Sequence, residues 1–283
     1  MKLNSEKKAS LGDFLFDSFQ NASKSRIKKM ILNGTIRVNG VIVKDIRYML
    51  KAEDEVSYQK FHPTGFEKIV PFPVIYEDDF LMVVDKPAGI LTYGERGTPG
   101  TSAYRILMDF LKLRSGGTEK VFVVHRLDRE VSGLLLFAKS EEVQEKIKEN
   151  WKKTEKRYTA LVEGIPPDKE GTIKSWLKEN KALKVYSVKE GPEAKFAITH
   201  YKVLRELPGF SLLEIQLETG RKNQIRVHLA DIGCPVAGDR KYGAKQKITG
   251  IRLHATLLRI LHPVTGKWHE FSSPFPKKYL EIR

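Results

Sequence analysis

The sequence predicts a two-domain α+β protein, and three observations lead to that class. Residues 10–58 combine two short helical patterns with a hairpin signal. Residues 61–73, FHPTGFEKIVPFP, contain three prolines and a glycine, which is typical of a linker. From Val74 onward, apolar runs of strand length alternate with helical stretches. We therefore expect a small domain at 10–58, a linker at 59–73 and a large domain at 74–283, and 283 residues suffice for both.

The charge of the chain favours a polyanionic partner. Its net charge is +15 and its pI is about 9.6, so nucleic acid is the first candidate. Membrane association is not expected, because no apolar stretch approaches the roughly 20 residues that span a bilayer. The start of the chain lacks the apolar core of a signal peptide, and the single Cys234 cannot form an internal disulfide. We expect a monomer in a reducing cytosol.

The small domain begins with a helix and ends with strands. Four apolar residues share one helical face: Leu11, Phe14, Leu15 and Phe19. A second helix is predicted from about Lys24 to Leu32, followed by the strands of TIRVNGVIVK, which Asn39-Gly40 joins because a two-residue hairpin turn needs positive φ at both positions. The exposed face of the second helix carries basic side chains suited to phosphate contact: Lys24, Arg26, Lys28 and Lys29. The alternative for these residues is a solvated basic helix.

The central motif of the large domain is HRLDREVSG, His125 to Gly133. It lies between the apolar runs VFVV and LLLFA, which predict two buried strands. The loop between them presents Asp128 with Arg126 and Arg129 on either side. Taken alone, such an aspartate is more often part of a salt bridge that fixes the loop.

The elements around this motif follow from local patterns. VIYEDDFLMVVDKPAGIL predicts two strands and a turn, and residues 103–113 predict a helix. Ser140 is the expected N-cap of a helix that buries Val143, Ile147 and Trp151. KRYTALVEG predicts a strand carrying Tyr158, and residues 168–196 predict hairpins and loops.

A second motif follows the alternating strand SLLEIQLETG. RKNQIRVHLADIG predicts a helix that Gly233 ends, with three inward residues: Ile225, Leu229 and Ile232. Its opening turn carries Arg221, Lys222 and Arg226. Cations are unfavourable at the positive end of a helix dipole unless anions lie nearby. We therefore expect a carboxylate and RNA phosphate close to them.

These motifs resemble two known families. HRLDREVSG, the segment ending in KPAGIL, the 221–233 helix, GDRKYG at 238–243 and RLHATLLRILHPVTGKWHEFSSPFP resemble RNA pseudouridine synthases of the RluA type. The resemblance implies a mixed, largely antiparallel sheet. Residues 10–58 resemble the S4 RNA-binding module, a small αL-type fold, but have Leu11-Gly12-Asp13 where Arg-Leu-Asp is common, so one RNA contact is expected to be missing.

The resemblance implies a role for each site residue. Asp128 would be the nucleophile, Arg226 its basic partner, and Tyr158 the aromatic that stacks on the target base and helps a proton leave C5. Arg226 should keep Asp128 ionised and lower its pKa by roughly 1–3 units. Arg126 would fill the gap left by an extruded uridine, or it pairs with a neighbouring acid.

Four further positions have expectations of their own. His125 is expected to be structural, although proton transfer is the alternative. Val131, Lys222 and Asn223 depart from the family pattern, and we expect none of the three to touch Asp128, Tyr158 or Arg226.

No cofactor or metal is expected. The seven histidines are scattered, and no HExxH, CxxC or glycine-rich nucleotide loop appears. The implied substrate is large-subunit ribosomal RNA first and transfer RNA second. Two other classes stay open: a non-catalytic RNA-binding or ribosome-assembly protein, and a glycosylase that would release free uracil.

Overall fold

The computed structural model describes residues 2–4, 9–19, 27–28, 30–31, 36–58, 70, 72–94 and 102–281. The chain divides into two compact units. One comprises Met1–Pro71 and Leu107–Lys120, and the other comprises Phe72–Ile106 and Val121–Arg283. No helix in the described part of the chain is long and apolar enough to cross a membrane.

The described residues of the first unit include a helix at 11–18, the helical residues 27, 28, 30 and 31, part of a helix at 107–115 and two small antiparallel sheets. The sheets have the strand orders β1-β6-β3-β4 and β2-β5. Apolar side chains of the helix, of the hairpin and of residues 27 and 31 pack into one core. The elements are β1 Lys2–Asn4, β2 Ala9–Ser10, α1 Leu11–Ser18, β3 Ile36–Val38, β4 Val41–Ile42, β5 Met49–Leu50 and β6 Glu55–Tyr58.

The hairpin prediction is confirmed in this unit. Asn39 and Gly40 have φ of 50° and 81°, and Val38 pairs with Val41 across the turn. Residues 27, 28, 30 and 31 are helical, as the sequence predicts, and Lys28 is exposed. The rest of the predicted second helix lies outside the described residues, including Lys24, Arg26 and Lys29.

The second unit is built on an eleven-stranded sheet of the described residues. Its order is β13-β12-β14-β15-β11-β16-β10-β8-β7, with β9 beside β10 and β17 beside β16. The strands are β7 Val74–Glu77, β8 Leu81–Lys86, β9 Phe122–Val123, β10 Ser132–Ala138, β11 Glu155–Glu163, β12 Glu170–Glu179, β13 Val185–Val188, β14 Lys195–Leu207, β15 Phe210–Leu217, β16 Leu253–Leu261 and β17 Trp268–Ser272. The helices are α2 Ala103–Ser115, which continues into the first unit, α3 Glu141–Glu149 and α4 Gln224–Asp231.

The sheet is mixed and largely antiparallel, as expected. Among the described strands only β10 and β16 pair in parallel, at Ser132 and Gly133. Gly133 has φ of 113°, and a Cβ there would lie 2.4 Å from the carbonyl oxygen of Ala255. The glycine of HRLDREVSG is therefore needed for the close approach of these two strands, which fixes where the preceding loop ends.

One predicted segment agrees with the observed elements and one differs. Within residues 168–196, β12 and β13 pair as an antiparallel hairpin around residues 180–184, in agreement with the predicted hairpins and loops. Helix α4 begins at Gln224, so Arg221 and Lys222 precede it and do not form its first turn. The cause is Asn223, whose φ of 54° is left-handed and interrupts the helix on its N-terminal side.

Candidate active site

The loop that carries Asp128 joins β9 to β10 and is held by the turn after β8. Thr92 Oγ1 accepts a hydrogen bond from Leu127 N (3.0 Å) and donates one to Leu127 O (2.9 Å). Gly89 N donates to Arg129 O (2.7 Å). These bonds fix the backbone on both sides of Asp128, so the carboxylate is presented from a rigid loop.

A buried lysine strengthens this attachment. Lys86 at the end of β8 is fully buried, and its Nζ donates to Pro87 O (3.0 Å), Ile90 O (2.8 Å) and Arg129 O (3.5 Å). Burial lowers the pKa of Lys86 to about 8, against the opposing effect of the Asp128 and Glu130 charges. Its contacts connect the KPAG turn to the Asp128 loop.

Arg226 on α4 is the centre of a cluster of acids. Its Nη1 lies 3.4 Å from Asp128 Oδ2 and 3.5 Å from Glu130 Oε2. Its Nε and Nη2 donate to Asp239 Oδ2 (2.6 Å) and Oδ1 (2.9 Å), a bidentate pair. The prediction of a carboxylate beside the cations of this segment is confirmed, but the strongest partner of Arg226 is Asp239.

Asn223 and Tyr242 also contact the guanidinium of Arg226. The guanidinium carbon lies 5.0 Å from the Tyr242 ring centroid, and the Tyr242 hydroxyl accepts a bond from Asn223 Nδ2 (2.8 Å). Asn223 Oδ1 accepts from Arg226 Nη1 at 3.4 Å. The expectation that the departure at Asn223 leaves Arg226 untouched is therefore wrong.

The pKa of Asp128 is raised, which corrects the predicted lowering. Burial is the largest cause and the Glu130 charge acts in the same direction, while Arg226 and Arg126 oppose them. The effect of Arg226 does not outweigh burial, because Arg226 is shared among several acids. Its two shortest bonds go to Asp239, so only one longer contact remains to compensate the Asp128 carboxylate.

Tyr158 on β11 lines the same cavity as Asp128 and Arg226. The cavity has a volume of about 110 Å³, and its wall includes Arg221 and Lys222. It is smaller than pockets for whole drug-sized ligands, which run to about 300–1,000 Å³, and so suits a single ring. Burial and the Asp128 charge raise the pKa of the Tyr158 hydroxyl, which therefore stays protonated.

Comparison with known proteins shows the family to which the chain belongs. A family model described as RNA pseudouridylate synthase matches residues 80–231, more than half of the sequence. The chain belongs to this family. An S4 domain model matches residues 11–56, which covers the small N-terminal module.

Full-length relatives agree with this assignment. The synthase is 33% identical over 286 residues to an uncharacterised RNA pseudouridine synthase of Bacillus subtilis, covering 98% of this chain and 94% of that protein. It is 28% identical over 312 residues to a ribosomal large subunit pseudouridine synthase D of Haemophilus ducreyi, covering 100% and 94%. The solved structure of human RNA pseudouridylate synthase domain containing 4 shares the fold, with a TM-score of 0.64 at 24% identity over 76% of this chain and 92% of that one.

In this synthase the contacts of His125 favour the structural role suggested by the sequence over proton transfer. Its Nε2 accepts a hydrogen bond from Leu136 N at 3.0 Å, and its ring lies 5.0 Å from the Trp151 ring. Burial, with a smaller effect of the Lys156 charge, lowers the pKa of His125 to about 3. The ring is neutral at physiological pH and braces the start of the Asp128 loop against β10.

The basic residues predicted to bind RNA have different surroundings. Arg126 is exposed and lines the cavity, and among the described residues no ion pair joins it to an acid. Arg221 Nε donates to Phe196 O (3.0 Å), and Lys222 pairs with Glu179. Both line the cavity of the synthase, while Val131 is buried beside it.

Sequence reasoning missed Asp239, Glu130 and Lys86 as parts of the site. Asp239 lies in GDRKYG and Lys86 in the KPAG turn, two segments that the family resemblance already included. Neither residue stood out, because an aspartate or a lysine in a turn is usually solvated. The available signal was an acid close in sequence to α4, whose cations require anions.

Proposed function

We propose that this synthase isomerises specific uridines of a structured RNA, with Asp128 as the nucleophile. The observation that carries the proposal is the convergence on one cavity of Asp128, Arg226 and Tyr158, from a loop, a helix and a strand. The Asp128 side chain is 19% exposed, so it is open to a ligand although it is largely shielded from water. Family membership supplies the reaction, and the cavity supplies the residues.

The reaction requires no redox change. The N1–C1′ bond breaks, a C5–C1′ bond forms, the C5 proton leaves and N1 gains a proton. The Asp128 carboxylate either adds to C1′ or removes the 2′ proton, and both routes neutralise its charge. Because burial already disfavours that charge, either step relieves an unfavourable state of the free enzyme.

The neighbouring residues position the carboxylate and the base. Arg226 orients Asp128 through its single Nη1 contact, and Asp239 holds Arg226 from the other side. The Tyr158 ring stacks on the extruded uracil. Its raised pKa supports this stacking role over removal of the C5 proton, which would require a proton acceptor. Arg126 replaces the extruded base in the RNA helix.

Large-subunit ribosomal RNA is the proposed substrate. Relatives named ribosomal large subunit pseudouridine synthase D cover nearly the whole chain at 28% and 29% identity. The S4 domain and the net charge of +15 support binding to a large folded RNA. The place of action that follows is the cytoplasm.

The test is to map pseudouridines in RNA from cells that lack this gene and then restore either the wild-type protein or Asp128→Asn. One or a few ribosomal RNA sites should disappear in the deletion strain and return only with the wild type. Measurement of transfer RNA in the same cells covers the other substrate class. Persistence of every site, in a strain without a redundant enzyme, would refute the proposal.

Two controls accompany this experiment. Glu130→Gln also changes an acid beside Arg226, but the Glu130 side chain is 49% exposed, so the variant should restore the modification. An assay for free uracil distinguishes isomerisation from glycosylase chemistry, in which the uracil would leave the RNA.

A further inference from the structure

A second, larger cavity lies beside the active site in the same unit. Its volume is about 880 Å³, within the range of about 300–1,000 Å³ that holds whole small ligands. Arg126 and Leu127 line both cavities. The loop that carries Asp128 therefore forms a wall shared by the two.

Two tyrosines form an aromatic surface in this second cavity. The ring centroids of Tyr93 and Tyr104 are 5.0 Å apart with an angle of 51° between the ring planes. Tyr93 is 56% exposed, which is a large exposure for an aromatic side chain. Such rings are the usual stacking surfaces for bases of single-stranded RNA.

The positions of the tyrosines are fixed by the backbone. Ala103 N donates to Leu91 O (2.8 Å) and Tyr104 N donates to Thr92 O (3.1 Å). Thr92 is also the residue that holds Leu127 in place. The aromatic surface is thus attached to the same rigid turn as the Asp128 loop, and a ligand would meet a preformed site.

The charges around the cavity have one sign. Arg126 and Arg129 line it, and no acidic side chain does so among the described residues. Arg129 Nε donates to Gly89 O at 3.0 Å, which restrains its guanidinium at the edge of the cavity. An aromatic surface flanked by two guanidiniums matches a ligand that has both a flat ring and a phosphate.

We infer that the second cavity binds an unpaired nucleotide of the substrate RNA next to the target uridine. Its base stacks on Tyr93 and Tyr104, and its phosphate contacts Arg129. This inference deepens the proposed function and depends on it. Extruding the target uridine disrupts the stacking of the nucleotides next to it. Because Arg126 lines both cavities, a displaced neighbouring nucleotide lies beside the second cavity. The cavity then contributes to the choice of RNA sequence or loop around the target.

The test is a titration that does not depend on turnover. Asp128→Asn protein is titrated with a single-stranded oligouridylate of about twelve nucleotides that contains one 2-aminopurine, whose fluorescence is quenched by stacking. Adding Tyr93→Leu should raise the Kd roughly 5- to 150-fold and reduce the quenching. Tyr93→Phe should leave both close to the parent values, because the ring is retained.

Tyr186→Leu is the matched control. Tyr186 is 40% exposed on β13 and lines neither cavity, so its replacement should change neither Kd nor quenching. Thermal melts compare the folding of the two leucine variants. If Tyr93→Leu fails to fold, Arg129→Gln gives an independent measurement, since losing one phosphate contact should reduce the slope of log K against log salt by about 0.7.

Two results would overturn the inference. One is unchanged affinity and quenching in folded Tyr93→Leu, which would leave the apolar cavity to a protein partner. The other is an unchanged salt slope in Arg129→Gln. Neither result bears on the pseudouridine mapping with Asp128→Asn, so failure of this inference and failure of the proposed function remain distinguishable.

Discussion

Replacing Asp239 by asparagine tests how the site divides one guanidinium among three acids. The Asp239 side chain is 1% exposed and that of Arg226 is 6% exposed, so the pair is withdrawn from water. In Asp239→Asn the remaining side-chain oxygen still accepts from Arg226. The new NH₂ group faces an N–H group of the guanidinium, and two donors cannot form a hydrogen bond. The variant therefore loses one charged hydrogen bond and leaves a buried guanidinium without its main counter-charge.

The expected cost follows from this burial. Breaking a buried ion pair by removing one partner costs about 3–5 kcal/mol. At about 2–4 °C per kcal/mol for a domain of this size, the Tm should fall by roughly 6–20 °C. Activity should fall about 100-fold as well, because Arg226 no longer holds Asp128 in one position.

The pH profile of Asp239→Asn should shift in the direction that favours an ionised Asp128, although stability and activity fall. Without Asp239, the positive charge of Arg226 acts more fully on Asp128, and the pKa of Asp128 should fall from its raised value. The ionised carboxylate then persists to lower pH. The acid limb of kcat/KM should therefore move to lower pH in Asp239→Asn, even though its maximum is lower.

Release of tritium from RNA labelled at uracil C5 measures the rate, and thermal melting measures the stability. Glu130→Gln is the matched control, because it removes an acid from the same guanidinium at a half-exposed position. Its loss of stability should stay below about 1 kcal/mol. The reasoning fails if Asp239→Asn is as stable as Glu130→Gln, or if its acid limb moves to higher pH.

Three further predictions concern Lys86, Tyr158 and Lys28. Lys86→Met should destabilise the protein at neutral pH. It should also abolish the rise in unfolding free energy between pH 8 and 10.5, where the unfolded chain binds more protons than the native one because the folded pKa of Lys86 is about 8. Urea unfolding that shows the same rise in both proteins would contradict this. Tyr158→Phe should retain RNA affinity and lose less than about 100-fold in kcat, whereas Tyr158→Leu should also lose affinity. A loss of about 10²–10⁴-fold in kcat alone for Tyr158→Phe would instead assign acid–base chemistry to the hydroxyl. Lys28 is an exposed basic residue in the S4 domain. Lys28→Gln should reduce the slope of log K against log salt for RNA binding by about 0.7–0.9 without changing kcat. An unchanged slope would remove Lys28 from the RNA contacts.

Local elements were the part of the fold that the sequence predicted well. The Asn39-Gly40 turn, the Ser140 N-cap, whose Oγ accepts from Val143 N at 3.2 Å, and the αL stop at Gly233 all follow from a few adjacent residues. For residues 168–196 the sequence predicted hairpins and loops without strand bounds, because the lysines and glutamates of β12 weaken the alternation that would mark those bounds.

The candidate site shows the same division. The motif resemblance alone named Asp128, Tyr158 and Arg226, and the structure brings the three to one cavity. It did not name Asp239, and it predicted the wrong direction for the pKa of Asp128. Both depend on which acids share Arg226 and on how much water the loop excludes.

The sequence by itself determined the excess of positive charge, the order of most elements and the candidate site residues, because each is encoded in composition or in a short run of the chain. Only the tertiary structure decided the electrostatic state of the carboxylate and placed Tyr93 and Tyr104 beside Arg126. Desolvation and guanidinium sharing arise when Asp128 and Arg226, 98 residues apart in the chain, are packed together, and no local pattern records them.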